Sequence, residues 1–482
     1  MPKTKYRTTP IKTDKMPPGI LFIVGNEAAE RFSYYGMNSI LVIFMTQYLM
    51  NTQGQPAHMT DAQATAWYST FVSLVYFLPI LGGILADAVF GKYLIILLLS
   101  IVYCFGHFTL AIDDTRLGLI IGLVLIAMGA GGIKPCVSAN VGDQFCASNQ
   151  HLLPNIFSWF YFSINLGSAG STLLIPWLLN RVGPSVAFGV PGIAMVIATV
   201  VFWLGRKRYA HLPPTGLRTY TEQFFSVRRL LSCKRDAARS GLAKTAAWLS
   251  GFRAGWNVEN LKALANLLIL VPFAAVFWAL WQQNFSTWVI QSEKMNRHLF
   301  GHNWLPAQIQ TVNPIFILIL LPLFSYVVYP TVGRLVKVTP LRRFGAGLWA
   351  MVFAFLIVAW IQTRIDAGQH PQILWQILAF VVLTAGEVLL SVTHLEFAYT
   401  QAPKTMKSLV MFTYLGAVSV GNVFTALVNR FIQNPNGTIK ASMAGAAYFY
   451  FFAKVMAVTA VLWLIVSPFY RGKTYTQDEA EP

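Results

Sequence analysis

Three ionised side chains, Glu27, Glu30 and Arg31, lie inside an apolar stretch that runs from Gly19 to about Leu49. No feature of the chain constrains its fold more. A charge at mid-membrane costs about 2.5 to 3.5 kcal/mol even on a lenient insertion scale, so such residues persist where they face a polar cavity or one another. Glu27 and Arg31 are four residues apart with Glu30 between them, which places all three on neighbouring parts of one helical face. An ionisable face in a membrane-spanning helix is by default a pathway for substrate or protons.

The rest of the chain supports a membrane setting. Hydrophobic residues make up 55% and charged residues only 11% of its 482 positions, with a mean hydropathy of +0.54. That composition excludes an ordinary soluble domain. Apolar runs of about 20 residues, the length that crosses a bilayer, occur at 19–48, 63–89, 93–112, 116–139, 155–180, 184–206, 263–291, 308–331, 343–364, 371–400, 407–431 and 443–469. The expected fold class is an all-α polytopic membrane protein of about twelve helices.

A net charge of +18 invites a nucleic-acid reading, but its distribution argues for topology instead. Lys3, Lys5, Arg7, Lys12 and Lys15 precede the first span, and Arg206, Lys207, Arg208, Arg228, Arg229, Lys234, Arg235, Arg239, Lys244 and Arg253 fill the long loop after the sixth. Arg334, Lys337, Arg342, Lys404, Arg471 and Lys473 follow spans 8, 10 and 12. All of them fall on the side of the N-terminus, whereas NTQGQPAHMTD at 51–61 has neither Lys nor Arg. The positive-inside bias therefore places both termini in the cytoplasm.

Cys104, Cys136, Cys146 and Cys233 are too scattered for a disulfide framework. The basic N-terminal segment lacks a small-residue cleavage site, so it does not read as a removable signal peptide. GAGGIKPCVSAN at 129–140 lacks the spacing of a phosphate loop because Pro135 follows Lys134. Its glycines permit close helix packing, and Pro135 can free a backbone carbonyl toward a cavity.

Six spans, a loop at 207–262 and six more spans is the plan of a two-bundle transporter. The expected units are a cytoplasmic N-terminus at 1–18, a first bundle at 19–206, a linker at 207–262, a second bundle at 263–470 and a cytoplasmic tail at 471–482. Within the linker, Phe224, Phe225, Val227, Leu230 and Leu231 interleave with Arg228, Arg229, Lys234 and Arg235. That alternation reads as an amphipathic helix on the membrane surface, and its charge is of the kind that meets anionic lipid headgroups.

Several motifs together resemble the proton-coupled oligopeptide transporter family, the peptide branch of the major facilitator superfamily. They are ExxERFxYYG at 27–36, GxGxIKP at 129–135, FYFSINLGSAGS at 160–171, FWALWQQNFST at 277–287, QTVNP at 310–314 and GEVLLSVTHLEFAYTQAP at 386–403. GGILADAVFGKY at 82–93 resembles the short loop motif of the superfamily, which implies a lock between helix ends formed by Asp87 and Lys92. The resemblance implies the major facilitator fold, with two six-helix bundles. It implies a proton-coupling cluster of Glu27, Glu30, Arg31 and Lys134, with Glu387 as a further titratable group. It also implies that Arg31, Lys134 and Tyr35 face a peptide carboxylate, and that Asn165, Asn313 and Glu387 hold the peptide amino group. Tyr34, Tyr76, Trp278 and Tyr399 become pocket walls.

Elementary chemistry asks for a similar pocket, because a zwitterion is best met by cations on one side and an acid on the other. Arg31 and Lys134 lie in the first half, and Glu387 is an isolated acid in span 10. Asn38, Gln282 and Ser69 depart from the family pattern of charged or histidine residues at those places, so coupling cannot rest on them. The expected function is import of di- and tripeptides with protons by a monomeric unit in the bilayer of a bacterial inner membrane, with protons as the only coupling ion and no cofactor, metal or nucleic acid. Rival readings are a carrier of nitrate or another small anion, which Glu387 would repel, and a peptide sensor that does not transport. An intramembrane enzyme finds no support, since His107 and His394 are isolated in the sequence.

Overall fold

The structure is a computed structural model that describes residues 6–214, 216, 265–401, 407–434 and 439–470. Linker residues 217–262, the tail 471–482 and the side chain of Tyr399 lie outside the described residues.

The first half consists of α1 (Ile20–Gln47), α2 (Asp61–Leu85), α3 (Lys92–Ile112), α4 (Arg116–Gly142), α5 (Leu153–Arg181) and α6 (Pro184–Leu204). Seven α-helical stretches follow in the second half up to the last helix. They are α7 (Leu270–Trp281), α8 (Thr287–Glu293), α9 (Val312–Leu323), α10 (Tyr329–Gly333), α11 (Pro340–Asp366), α12 (Leu374–Gln401) and α13 (Lys407–Phe431), before α14 (Ala446–Val466). Some of these are pieces of one span. A 3₁₀ turn at Gln282–Phe285 joins α7 to α8, and a π turn at Phe324–Val328 joins α9 to α10.

Ten continuous segments are long and apolar enough to cross a membrane. Adding α1, which carries three charges, and α13, of 25 residues, gives twelve membrane-length segments among the described residues. Their ends follow local chemistry. Thr60 caps α2 in a reciprocal pair with Gln63, and Thr115 and Thr339 accept from the third amide of α4 and α11, which satisfies donors that helices leave open. Pro184 starts α6 directly after Gly183, whose φ of +106° favours glycine.

Within the first half α1 packs on α5 and α6, α3 on α4 and α6, and α2 on α4; within the second, α11 packs on α12 and α14, α7 on α13, and α9 on α12. Glycine makes two of these approaches possible. A Cβ on Gly82 would stand 2.5 Å from the Cα of Gly132, and one on Gly167 would stand 2.6 Å from the carbonyl oxygen of Ala28, so any larger residue would push α2 from α4 or α5 from α1. Gly132 and Gly167 belong to the 129–140 and 160–171 motifs.

The halves join through α2 against α13, and through α5 against α9 and the preceding 3₁₀ turn at Pro306–Thr311. Every hydrogen bond between the halves among the described residues lies at mid-membrane or at the end opposite the N-terminus. Gln47 Nε2 donates to Glu293 Oε1 at 2.7 Å, Gln308 Nε2 to the Leu173 carbonyl at 3.0 Å and Gln310 Nε2 to the Ser39 carbonyl at 3.4 Å. The Thr172 and Thr311 hydroxyls are 2.9 Å apart, and those of Ser73 and Ser419 are 3.0 Å apart. The molecule is therefore closed at its lysine-poor end.

At the basic end, residues 6–15 strap the first half. Arg7 Nη2 donates to the Arg208 carbonyl at 2.7 Å, the His211 amide to the Arg7 carbonyl at 2.7 Å, and Ser148 Oγ to the Thr13 carbonyl at 3.0 Å. The loop after α2 is a π turn (Ala86–Phe90) ending at Gly91, with φ of +80°. Lys92 Nζ meets Asp143 Oδ2 at 2.7 Å, the residue that ends α4. The expected pairing of Asp87 with Lys92 is present as an electrostatic contact, while the Lys92 amine makes its close ion pair with Asp143. Lys92 opens α3, and the packing of α3 on α4 carries its amine toward the end of α4.

Candidate functional site

Arg31 sits between two carboxylates of its own helix. Its Nε lies 2.7 Å from Glu27 Oε1 and 2.8 Å from Glu30 Oε2. Only the contact to Glu27 has hydrogen-bond geometry, and neither oxygen of Glu30, which is 0% exposed, has a hydrogen bond. This triad is what the 27–31 spacing implies.

Lys134 does not complete that cluster by an ion pair. No carboxylate lies within 4 Å of its Nζ among the described residues, and the buried amine has no hydrogen-bond partner. It stands instead over two rings, 4.3 Å from the centroid of Tyr34 and 4.2 Å from that of Tyr76. The expected charge cluster is therefore an ionic triad with Lys134 as an electrostatic neighbour whose closest contacts are π faces and not a carboxylate. The sequence supplied both tyrosines but could not tell that α2 and α1 close around the α4 lysine.

In the second half, Glu387 on α12 accepts two hydrogen bonds at one oxygen. Trp281 Nε1 and Asn313 Nδ2 each lie 2.9 Å from Oε2, and Oε1 has no hydrogen bond among the described residues. Asn313 also donates to Thr384 Oγ1 at 3.0 Å. Asn313 and Glu387 thus come together, as the resemblance implied. Asn165 does not join them: its Nδ2 donates at 2.9 Å to the Tyr161 carbonyl one turn back on α5, because a short amide in a helix readily bonds its own backbone.

A run of rings connects the two charge centres. Tyr34 meets Tyr35 at 5.4 Å, Tyr35 stacks on Phe285 at 6.2 Å across the halves, Phe285 meets Trp281 at 5.8 Å, Trp281 meets Trp278 at 5.3 Å, and Trp278 meets Tyr414 at 5.6 Å. Trp278, Tyr34 and Tyr35 were expected here. Trp281, Phe285, Thr384 and Tyr414 were not, although Trp281 stands three residues after Trp278 on one helix face, a spacing that signals shared surroundings.

Above the rings lies a neutral gate. Asn38 Nδ2 donates to the Tyr68 hydroxyl at 3.1 Å, and that hydroxyl donates to Gln282 Oε1 at 3.3 Å. The two departures from charged residues thus find each other through a tyrosine. His107, isolated in sequence, has its Nε2 2.8 Å from Ser33 Oγ and its ring 5.0 Å from Tyr103.

This arrangement defines a polytopic helical membrane protein in which a buried ionic cluster of one bundle and a buried carboxylate of the other are linked by a run of aromatic rings, with one end closed. The sequence profile of the POT family matches residues 93–444, and the chain belongs to that family. Solute carrier family 15 member 2 of Rattus norvegicus is 38% identical over 382 residues, covering 74% of this chain and 50% of that protein. Peptide transporter family 1 of Drosophila melanogaster is 36% identical over 378 residues, covering 73% and 49%. The chain spans about half the length of these relatives. Among solved structures, the POT family transporter PepTSo is similar with 37% identity and a TM-score of 0.82, covering 95% of this chain and 99% of that one.

Proposed function

We propose that this protein is a symporter that carries di- and tripeptides across the membrane together with protons, by alternating access. One observation carries the reading: Arg31 and Lys134 in the first half and Glu387 in the second stand at opposite ends of a ring-lined path. A zwitterion fits that polarity end to end. The planar guanidinium of Arg31 suits a carboxylate, the uncommitted oxygen of Glu387 suits an ammonium, and the aromatic walls offer area without directional demands. The printed names of the relatives as peptide transporters support the same cargo.

Coupling follows from the triad. A peptide carboxylate that draws Arg31 away takes from buried Glu30 its nearest counter-charge and leaves it without a hydrogen bond, and a buried carboxylate that has lost its pair is best tolerated when neutral. Peptide and proton then load together. Closure at the lysine-poor end describes the inward-facing half of the cycle, with the basic end and both termini in the cytoplasm. In a bacterium that membrane is the inner membrane. One chain holds both charge centres, which supports a monomeric transport unit driven by the proton.

Uptake of labelled dialanine into proteoliposomes tests the proposal. Accumulation should require an inward proton gradient and should be competed by unlabelled dipeptide. Equal uptake with and without the gradient would remove the coupling, and competition by nitrate in place of dipeptide would favour the anion carrier.

A further inference from the structure

The sealed end contains a cavity of about 370 Å³ whose walls come from both halves. Gln47, Tyr48 and Asn180 line it from the first half, and Glu293, Arg297 and Pro306 from the second. We propose that this cavity binds a small zwitterion, an amino acid or a peptide no longer than two residues, and that the bound molecule holds the gate shut.

Opposite charges share the cavity within electrostatic reach of each other but without close contact. Glu293 and Arg297 form no ion pair. Arg297 instead donates from Nη1 to the Trp304 carbonyl at 3.2 Å, which anchors the guanidinium to the small hairpin of β1 (His298–Leu299) and β2 (His302–Asn303). Its Nε is buried and has no hydrogen-bond partner. Glu293 is held by Gln47 across the halves. A carboxylate would meet the free edge of Arg297, and an ammonium would meet Glu293. A simple cation would be opposed by Arg297 and Lys294, and a simple anion by Glu293 and by Asp61 on α2. The volume suits a small molecule, since ligand cavities begin at about 300 Å³.

The consequence follows from the position. The first-half and second-half walls must separate when the lysine-poor end opens, so a ligand touching both walls binds the closed state alone and shifts the population toward it. The site is then an external brake distinct from the pocket between Arg31 and Glu387. This effect on transport rests on the peptide-symport reading; the binding itself does not.

The test titrates γ-aminobutyrate and dialanine into the purified full chain by calorimetry, using the unaltered protein, Arg297→Gln, Arg297→Lys and Glu387→Gln. γ-Aminobutyrate should bind the unaltered protein and Glu387→Gln alike, bind Arg297→Gln at least tenfold more weakly, and fall between for Arg297→Lys. Binding that survives Arg297→Gln, that is lost in Glu387→Gln, or that is absent throughout overturns the proposal. External γ-aminobutyrate should also slow dialanine uptake by the unaltered protein and hardly that by Arg297→Gln, and equal inhibition of the two would contradict the closed-state site. Failure of the unaltered protein to transport dialanine would overturn the symport reading while the calorimetric result stood.

Discussion

The amine of Lys134 stands 4.2 Å from the centre of the Tyr76 ring, so its closest contact is an electron-rich face and not a carboxylate. A cation–π contact in a desolvated site contributes up to about 2 kcal/mol, or roughly thirtyfold in an equilibrium. Tyr76→Phe keeps the face and should leave dialanine uptake within about threefold of normal, whereas Tyr76→Leu removes it and should lower uptake about tenfold or more. Equal losses in the two variants would show that the hydroxyl, and not the ring, matters.

Glu30 and Arg31 separate a coupling role from a structural one. Arg31→Gln strands the carboxylates of Glu27 and Glu30, and breaking a buried ionic group in this way costs about 3–5 kcal/mol, so the variant should be markedly less thermostable. Glu30→Gln leaves the Arg31–Glu27 contact in place. It should fold, exchange peptide across the membrane and fail to accumulate it against a gradient. Accumulation by Glu30→Gln would transfer the coupling to Glu27 or Glu387.

Because Trp281 and Asn313 both donate to Oε2 of Glu387, a glutamine there can keep those bonds through its own oxygen while losing the charge. Glu387→Gln should therefore weaken competition by free dipeptides about tenfold and competition by N-acetylated dipeptides hardly at all. Inhibition constants measured for matched pairs check this. Parallel weakening of both would take Glu387 away from the amino group.

His211 makes the N-terminal strap sensitive to pH. Its ring stacks on Tyr6 at 4.5 Å, and its Nε2 donates to the Arg206 carbonyl at 2.7 Å. Partial burial lowers its pKa below the usual 6.5, the Arg206 carbonyl acts against that shift, and Arg7 adds to the lowering. The undocked state therefore binds more protons than the docked one in the window below 6.5. Docking is at full strength above that pH and weakens as pH falls through the window toward the lowered value. Protection factors of the amides of residues 6–15, with the intrinsic exchange rate at each pH divided out, should be lower at pH 5.5 than at pH 7.5, and His211→Phe, which retains stacking, should abolish the difference. An unchanged pH response in His211→Phe would assign it elsewhere.

The span positions were legible because bilayer thickness imposes a length and apolarity on every crossing, whatever its neighbours. Observed segments such as Ile20–Gln47, Lys92–Ile112 and Pro184–Lys207 lie within a few residues of the runs read from composition. The Glu27–Arg31 contact was legible for a similar reason, since helical spacing alone brings the two together. Asn313 meeting Glu387 came only through resemblance to a family.

What the sequence could not decide was which distant helices close around a given side chain. Lys134 has rings of α1 and α2 as its nearest contacts, Lys92 reaches Asp143, Asn165 turns to its own backbone, and Asn38 meets Gln282 through Tyr68. Each outcome depends on helix rotation and separation fixed by packing, including the Gly82–Gly132 and Gly167–Ala28 approaches. Chain-local forces set the helices and their charged faces; the pairing between helices belongs to the tertiary structure, because a side chain's partner is chosen by distances that no sequence interval encodes.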